Sequence, residues 1–293
     1  MQPFDYYKPK DFDEAFGLLN TQGKVIYPYA GGTDFIPMTR DGIWKCDAVV
    51  DIKGLPGMKD IQETPEGLFV GAAVRMSDIA SSAIVRSHWD LLAQGAGSVG
   101  SQQIRNRATL GGNMVTASPC ADTPPALCVL NASVIIRNAN GERRVSTADF
   151  FKWVRKTAVQ PGDILVGVLI PRPPEGACGT YVKLSRRKGS DLSLVSVAAF
   201  TYPNSVVASG GKAATWRLTL GAVAPIPIRA PEAEAILEEG TDEEHIERAA
   251  QAASDKSKPI SDVRSSEKYR KLMVANMTKR AVRMTLERQG NGG

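Results

Sequence analysis

The residues best suited to chemistry are two glycine pairs flanked by hydroxyl, amide and carboxyl groups. The first lies in Pro28-Tyr29-Ala30-Gly31-Gly32-Thr33-Asp34. The second lies in Thr109-Leu110-Gly111-Gly112-Asn113, which runs on through Met114-Val115-Thr116-Ala117-Ser118-Pro119 to Asp122. Each pair removes two Cβ atoms, permits positive φ and lets consecutive N–H groups converge on one anion. A single Gly-Gly before a polar residue is also ordinary turn chemistry. Two on one chain fit a clamp around a diphosphate.

Other groups that could do chemistry are sparse. Gly95-Ala96-Gly97-Ser98-Val99-Gly100 satisfies Gly-x-Gly-x-x-Gly, but a dinucleotide fingerprint must follow a strand. The preceding Trp89-Asp90-Leu91-Leu92-Ala93-Gln94 reads as helix, so these glycines are expected to end a helix and allow close packing. Cys46, Cys120, Cys128 and Cys178 have neither Cys-x-x-Cys spacing nor the density of a disulfide scaffold, and are expected to be buried free thiols. That argues against an iron–sulfur site in this chain, and two histidines, His88 and His245, argue against a histidine-rich metal site. No His or Lys stands beside Cys120 to activate it. His88 is expected to be a partly exposed structural residue.

The elements that must position the glycine pairs follow from periodicity and punctuation. Asp11 to Leu19 reads as a capped helix with Phe12, Ala15, Phe16 and Leu19 on one side, and Val25-Ile26-Tyr27 as a strand delivering the first pair. Thr33 or Asp34 is expected to cap a brief helix through Thr39, and Ala48 to Ile52 is the next strand. This unit ends near Pro56. Leu68-Phe69-Val70 reads as a strand with Gly71 as a turn, Ser77 to Ala80 as a helix start, and Asn131 to Arg137 as a strand entering a turn at Asn138-Ala139-Asn140-Gly141. Thr147 to Phe151 begins a short helix, Pro161-Gly162-Asp163 is a turn, and Ile164 to Ile170 is a strand ended by Pro171. The proline-rich loop from Arg172 to Gly176 is the expected domain boundary. Beyond it, Tyr181 to Leu184, Leu194 to Phe200 and Trp216 to Gly221 read as strands of an antiparallel sheet, followed by helices over 232–238, 243–253 and 265–286. The last helix is expected to pack through Tyr269, Met273, Met277 and Met284. Arg186-Arg187-Lys188 is either a solvated turn or a docking point for an acidic partner.

At 293 residues the chain has room for two domains with real cores. Its 43% hydrophobic and 23% charged content is that of a globular protein. A net charge of +5 with 6% scattered aromatic residues offers no stacking platform for nucleic acid. No apolar run is long enough to cross a bilayer. The start Met1-Gln2-Pro3-Phe4-Asp5-Tyr6-Tyr7 does not read as a signal peptide, so the expected compartment is the cytoplasm.

Ala30-Gly31-Gly32-Thr33-Asp34, Gln103-Ile104-Arg105-Asn106 and Thr109-Leu110-Gly111-Gly112-Asn113 together resemble the FAD-binding subunit of molybdenum hydroxylases. That family includes bacterial xanthine dehydrogenases and carbon monoxide dehydrogenase, and the resemblance runs from about Phe4 to about Leu286. It implies an α+β fold in two domains. Residues 1–176 would form a two-part FAD-binding domain (PCMH-type) with subdomains 1–56 and 57–176. Residues 177–293 would form a C-terminal domain of antiparallel sheet with helices on one face.

The resemblance also assigns residues. Pro28 to Asp34 and Thr109 to Asn113 would hold FAD, with amides at Gly31, Gly32, Thr33, Gly111 and Gly112 on the pyrophosphate and side-chain bonds from Thr109 and Asn113. Asp122 matches an acid that accepts hydrogen bonds from flavin hydroxyls; a cap of the helix starting at Thr123 is the competing use. Leu165 matches an apolar residue packed near the flavin ring. Lys183 matches a lysine that reaches the flavin, where residue type alone gives a surface lysine. No catalytic acid–base residue and no metal ligand is assigned.

In the family, a molybdopterin cofactor in a large subunit hydroxylates the substrate, two [2Fe-2S] clusters in a small subunit pass electrons on, and FAD in this subunit hands them to an acceptor such as NAD or a quinone. The chain would then act only with those partners, expected as a dimer of heterotrimers. Gly221 to Arg229 and Ser266 to Arg270 are most similar to the xanthine dehydrogenase branch. Two other readings stay open: a flavin-free assembly or binding subunit, and a stand-alone flavin oxidase, which would need a substrate base beside the flavin.

Overall fold

The computed structural model describes residues 2–204 and 213–290. Met1 of the expected leaderless start, and residues 205–212 and 291–293 of the expected C-terminal domain, lie outside the described residues.

The N-terminal unit is β1 (Asp5–Tyr7), α1 (Phe12–Leu19), β2 (Ile26–Tyr29), α2 (Phe35–Arg40) and β3 (Ala48–Asp51), its three parallel strands ordered β1-β3-β2. The central strand β3 is buried throughout, as its unbroken Ala48-Val49-Val50 run requires. The helix α1 opens as expected, with the Asp11 carboxylate accepting from the Glu14 N–H and the four anticipated apolar residues buried. At α2 the expectation of a side-chain cap fails. Asp34 occupies the cap position but is already helical and makes no cap bond.

The second unit contains β4 (Ile61–Thr64), β5 (Gly67–Gly71), α3 (Met76–Ser81), α4 (Ala83–His88), α5 (Asp90–Gly97), α6 (Gln102–Arg105), α7 (Leu110–Val115), α8 (Thr123–Val129), β6 (Ser133–Asn138), β7 (Gly141–Ser146), α9 (Thr147–Phe150), β8 (Phe151–Trp153), β9 (Lys156–Thr157) and β10 (Ile164–Ile170). Its sheet is antiparallel in the order β4-β5-β10-β6-β7. The last strand in sequence, β10, therefore sits in the middle, and all seven of its residues are buried. Gly71 ends β5 instead of forming a turn. The Gly95–Gly100 segment finishes α5, with Ser98 N–H donating to the Gln94 carbonyl and Gly100 at φ +45°.

Asp163, at the entrance to β10, ties that strand to the neighbouring hairpin. It accepts from Arg143, from Asn138 Nδ2 at 2.9 Å and from the Gln160 N–H at 2.7 Å. Burial raises its carboxyl, but the Arg143 guanidinium and the N–H donors outweigh that and hold it below the usual range. A depressed folded value contributes stability above the unfolded pKa of about 4, lost as pH falls through the folded value. Asp163→Asn is accordingly expected to lower stability by about 2 kcal/mol at pH 7 and to flatten the acid limb below pH about 4, as read in thermal unfolding against pH.

The C-terminal unit is β11 (Cys178–Leu184), β12 (Val195–Pro203), β13 (Ala214–Gly221), β14 (Ile228–Arg229), α10 (Pro231–Glu239), α11 (Glu243–Lys256) and α12 (Glu267–Gly290). The strands form one antiparallel sheet in sequence order. One face, through Val182, Val195, Val197, Leu218 and Leu220, packs on the helices via Leu237, Ile246, Val274 and Met277. The alternate residues Tyr181, Ala198 and Phe200 join the core of the second unit, so both faces of this sheet are covered. Alternation on a strand makes this two-sided burial possible.

In α12 the buried side is Arg270, Val274, Met277, Thr278, Ala281, Val282 and Thr285; of the expected stripe Met277 is buried, Met273 and Met284 pack half-buried against the same core, and Tyr269 is exposed. The inward face is rotated because Arg270 goes in, its charge satisfied by Asp262 Oδ1 at 2.8 Å and by the Leu194 and Ala222 carbonyls. The thiols also differ from expectation. Only Cys128 is buried, its thiol pushed up to about 11 by burial, while Cys46, Cys120 and Cys178 are partly exposed.

Candidate functional site

The first glycine pair packs against the segment that leads into the second. A Cβ on Gly31 would overlap the backbone carbonyl of Arg107 and lie 3.2 Å from the Ala108 Cα. Further along, burial raises the Asp34 carboxyl, while the Arg155 charge and the Thr116 side chain oppose that shift. The segment 31–34 thus lies beside the entrance to α7. Gly32, at φ +74°, lies under the Tyr29 phenol. The Tyr29 ring is itself set by the Phe35 edge, 5.6 Å between centroids, and by the Lys53 ammonium 4.8 Å from its centroid.

The pairs differ in what they offer. Residues Thr109 to Asn113 do not form a loop with free amides: Thr109 caps α7, and the next four residues open the helix. Leu110 N–H donates to the Val74 carbonyl at 3.0 Å, Gly111 N–H to the Ala72 carbonyl at 2.8 Å, Gly112 N–H to Thr109 Oγ1 at 3.2 Å and Asn113 N–H to the Thr109 carbonyl at 3.0 Å. The amide cradle expected at Gly111 and Gly112 is therefore already occupied by the chain's own acceptors. By contrast, among the described residues no hydrogen bond is donated by the N–H groups of Gly31, Gly32, Thr33 or Asp34. The N–H groups left without an acceptor among the described residues sit on the first pair and the two residues after it.

The two glycines of the second pair differ in their surroundings. A Cβ on Gly111 would come within 2.6 Å of Ala72 Cβ, so this glycine lets α7 pack inward. A Cβ on Gly112 would meet only Thr109 Oγ1, at 3.1 Å, so no packed neighbour requires a glycine here. Asn113 Oδ1 accepts from Thr123 Oγ1 at 2.6 Å, which fastens α7 to the start of α8 and leaves its amide N–H groups as donors. Leu165 is buried on β10 just before a register shift between Leu165 and Gly167, and the Val166 carbonyl between them accepts from the Ala72 N–H.

At the far end of α7 the chain turns through Ala117, whose φ of +45° is rare for a residue with a Cβ, and reaches Asp122. Asp122 does not cap α8. Its Oδ1 accepts from Tyr181 Oη and Ser193 Oγ, both at 2.7 Å, and its Oδ2 from Lys183 Nζ at 2.9 Å. Lys183 Nζ also donates to the Ser98 carbonyl at 2.9 Å. The glycine-rich segment after α5, set aside as a dinucleotide motif, thus contributes one carbonyl to this cage. Burial raises the Asp122 carboxyl while the Lys183 charge and three donors oppose it. With two of three N–H bonds in use, Lys183 keeps one donor free.

Comparison with known proteins decides the family. Residues 2–173 match the model described as the FAD binding domain in molybdopterin dehydrogenase, and residues 180–285 match the CO dehydrogenase flavoprotein C-terminal domain. The chain belongs to this flavoprotein family. It is 29% identical over 290 residues to the carbon monoxide dehydrogenase medium chain of Afipia carboxidovorans, covering 98% of each chain. It is 31% identical to the glyceraldehyde dehydrogenase medium chain of Sulfolobus acidocaldarius, covering 95% of this chain and 96% of that one. In three dimensions it is similar to a chain of carbon monoxide dehydrogenase from Hydrogenophaga pseudoflava, in a form lacking the Mo-pyranopterin moiety of the molybdenum cofactor. There the TM-score is 0.91 at 30% identity, over 98% of this chain and 99% of that one.

The residues present suit FAD. Four adjacent N–H groups at 31–34 have no acceptor among the described residues, which is the chemistry a diphosphate requires. The chain also offers an acceptor at Asp122 and a cation at Lys183.

The flavoprotein's sequence also held signals that went unused. Tyr181 lies two residues from Lys183 on a strand and must share its face, and Ser193 lies two residues before the next strand. Arg270 and Asp262 carried no such signal, because nothing local distinguishes a buried arginine on a helix from a solvated one.

Proposed function

We propose that this chain is the FAD-carrying electron-transfer subunit of a multi-subunit molybdenum hydroxylase. It would take electrons from iron–sulfur clusters in a small partner subunit and pass them to an acceptor such as NAD or a quinone. The observation that carries this is the run of N–H groups at 31–34 that have no acceptor among the described residues, beside the segment leading into α7, together with the Asp122–Lys183 pair. FAD supplies the redox chemistry, and the chain's part is to bind, orient and tune it. The amides of 31–34 and the Gly112 side of α7 would hold the diphosphate; Asp122 would accept from flavin hydroxyls, Lys183 would place its charge near the ring, and Leu165 would pack beside it.

Substrate oxidation belongs to a large molybdenum-bearing partner, and the expected assembly is a dimer of heterotrimers in the cytoplasm. Among the described residues, no helix is long and apolar enough to cross a membrane. The xanthine-type reading rests on the segments Gly221 to Arg229 and Ser266 to Arg270. Oxidation of a purine by the intact complex is its test.

The general reading is tested by the visible spectrum and metal content of the full chain purified from its native source with whatever co-purifies. Flavin bands over a broad iron–sulfur background, with molybdenum in the same peak, are expected. A lone colourless chain that takes up no added FAD would refute it.

A further inference from the structure

The Asp122 carboxylate stands in the FAD-binding domain, yet all three side chains that bind it come from beyond residue 180. Tyr181 and Lys183 reach it from alternate positions of β11, and Ser193 from the turn before β12. Each donor is held in turn. Tyr181 N–H donates to Gln94 Oε1 at 2.8 Å, and Gln94 Nε2 donates to the Gly179 carbonyl, so α5 grips the edge of β11. Ser193 is fully buried beside Leu194, whose N–H donates to the Leu184 carbonyl and whose carbonyl accepts from the buried Arg270. Burial and the Asp122 charge keep the Tyr181 phenol well above its ordinary pKa, so it remains a donor.

Oδ1 accepts from two hydroxyls, while Oδ2, among the described residues, accepts from Lys183 alone. Two donors on one oxygen fix the plane of the carboxylate and turn the less crowded oxygen toward Lys183.

On the reading that this chain binds FAD through Asp122 and Lys183, we propose that Tyr181 and Ser193 are positioning residues for the flavin. By donating to the same oxygen of Asp122 from the C-terminal domain, they hold the Asp122–Lys183 pair in place and make cofactor binding depend on docking of the two domains. Neither hydroxyl needs to touch the cofactor. Their effect passes through Asp122.

This indirect route has a distinct signature. Tyr181→Phe keeps the ring that fills the interface and removes only the O–H, and Ser193→Ala is similarly conservative. Both are made in the wild-type chain and again with Asp122→Asn, and the full chain is studied with any subunits that co-purify. The readouts are the FAD dissociation constant and the midpoint potential of bound flavin, with thermal unfolding run beside them.

In the wild-type background each substitution is expected to weaken FAD about fivefold, since a hydrogen bond to a charged group is lost from the support of the site. The potential is expected to move to more positive values, because a less firmly ionised Asp122 leaves more of the Lys183 charge uncompensated beside the reduced flavin. In the Asp122→Asn background the same substitutions are expected to add less than twofold. Affinity and potential unchanged in both single variants would overturn the proposal, as would full additivity with Asp122→Asn, which would mean that the hydroxyls act elsewhere. Failure of the wild-type protein to bind FAD at all would overturn the underlying reading and this inference with it.

Discussion

Gly31→Val is expected to abolish measurable FAD uptake, lowering affinity by at least about 100-fold, and to destabilise the fold by about 3 kcal/mol. The reason is the identity of the atom in the way. A Cβ at this position runs into the Arg107 carbonyl, and backbone cannot rotate aside as a long side chain would. Relief requires the segment 31–34 to move off Arg107 and Ala108, which misdirects its four N–H donors together. Gly112→Ala is the informative control. Its Cβ meets only Thr109 Oγ1, so it should leave the melting temperature within about 2 °C while still weakening FAD by crowding the Gly112 side of α7. Fluorescence titration with FAD and a thermal melt on each variant decide the matter. If Gly31→Val binds FAD within threefold of wild type, the clamp is not where we place it.

The second large effect is on stability and needs no cofactor. Lys183→Met leaves Asp122 buried beside two hydroxyls with no counter-charge, and removal of one member of a buried pair costs about 3–5 kcal/mol. Both groups are well buried, with side-chain exposures of 13% for Lys183 and 6% for Asp122, so solvent screening does little to soften the loss. The double variant Asp122→Asn/Lys183→Met should recover about half of it, because the uncompensated charge goes with the carboxylate.

The pH dependence has a definite sign. Without the ammonium, burial raises the Asp122 carboxyl further above its unfolded value, and the native state then binds more protons than the unfolded one. Stability of Lys183→Met therefore falls as pH rises through that raised value. Denaturant melts at pH 5 and pH 8 should show a smaller deficit at the lower pH. A deficit that is equal at both, or not reduced in the double variant, would mean that Asp122 and Lys183 are not coupled as the 2.9 Å contact indicates.

These two effects fall on different parts of the proposed site, and different parts of the fold hold each. The proposed diphosphate part depends on contacts within the N-terminal half, between the loop after β2 and the segment leading into α7. The Asp122 part depends on a sheet buried on both faces. Val182 packs toward α11 and α12, while Tyr181 and Lys183 on either side of it face the FAD-binding domain. A one-residue slip of β11 would put the valine against Asp122 and the lysine into the apolar core, so the register of this strand is itself part of the site.

Much of this was legible without coordinates. Local rules located β10 to the residue, placed the β6–β7 hairpin at Asn138–Gly141 and ended α5 at the glycine-rich segment, because each depends on near neighbours along the chain. The family resemblance rested on the motifs around Gly31 and Gly111, and it extended to a cofactor that no local rule could name. Tertiary structure decided the rest. Whether a glycine amide is free depends on which carbonyl lies across from it, and Ala72 and Val74 are some forty residues from Gly111 and Leu110. Whether Asp122 caps a helix or anchors a cage depends on Tyr181, Lys183 and Ser193, which sequence separation hides. Arg270 turns inward because a carboxylate and two carbonyls await it there. The types and spacing of the residues determined the elements and the kind of ligand; the distant pairing of donors with acceptors determined which atoms remain for it, since a buried polar group takes whatever partner the fold brings within reach.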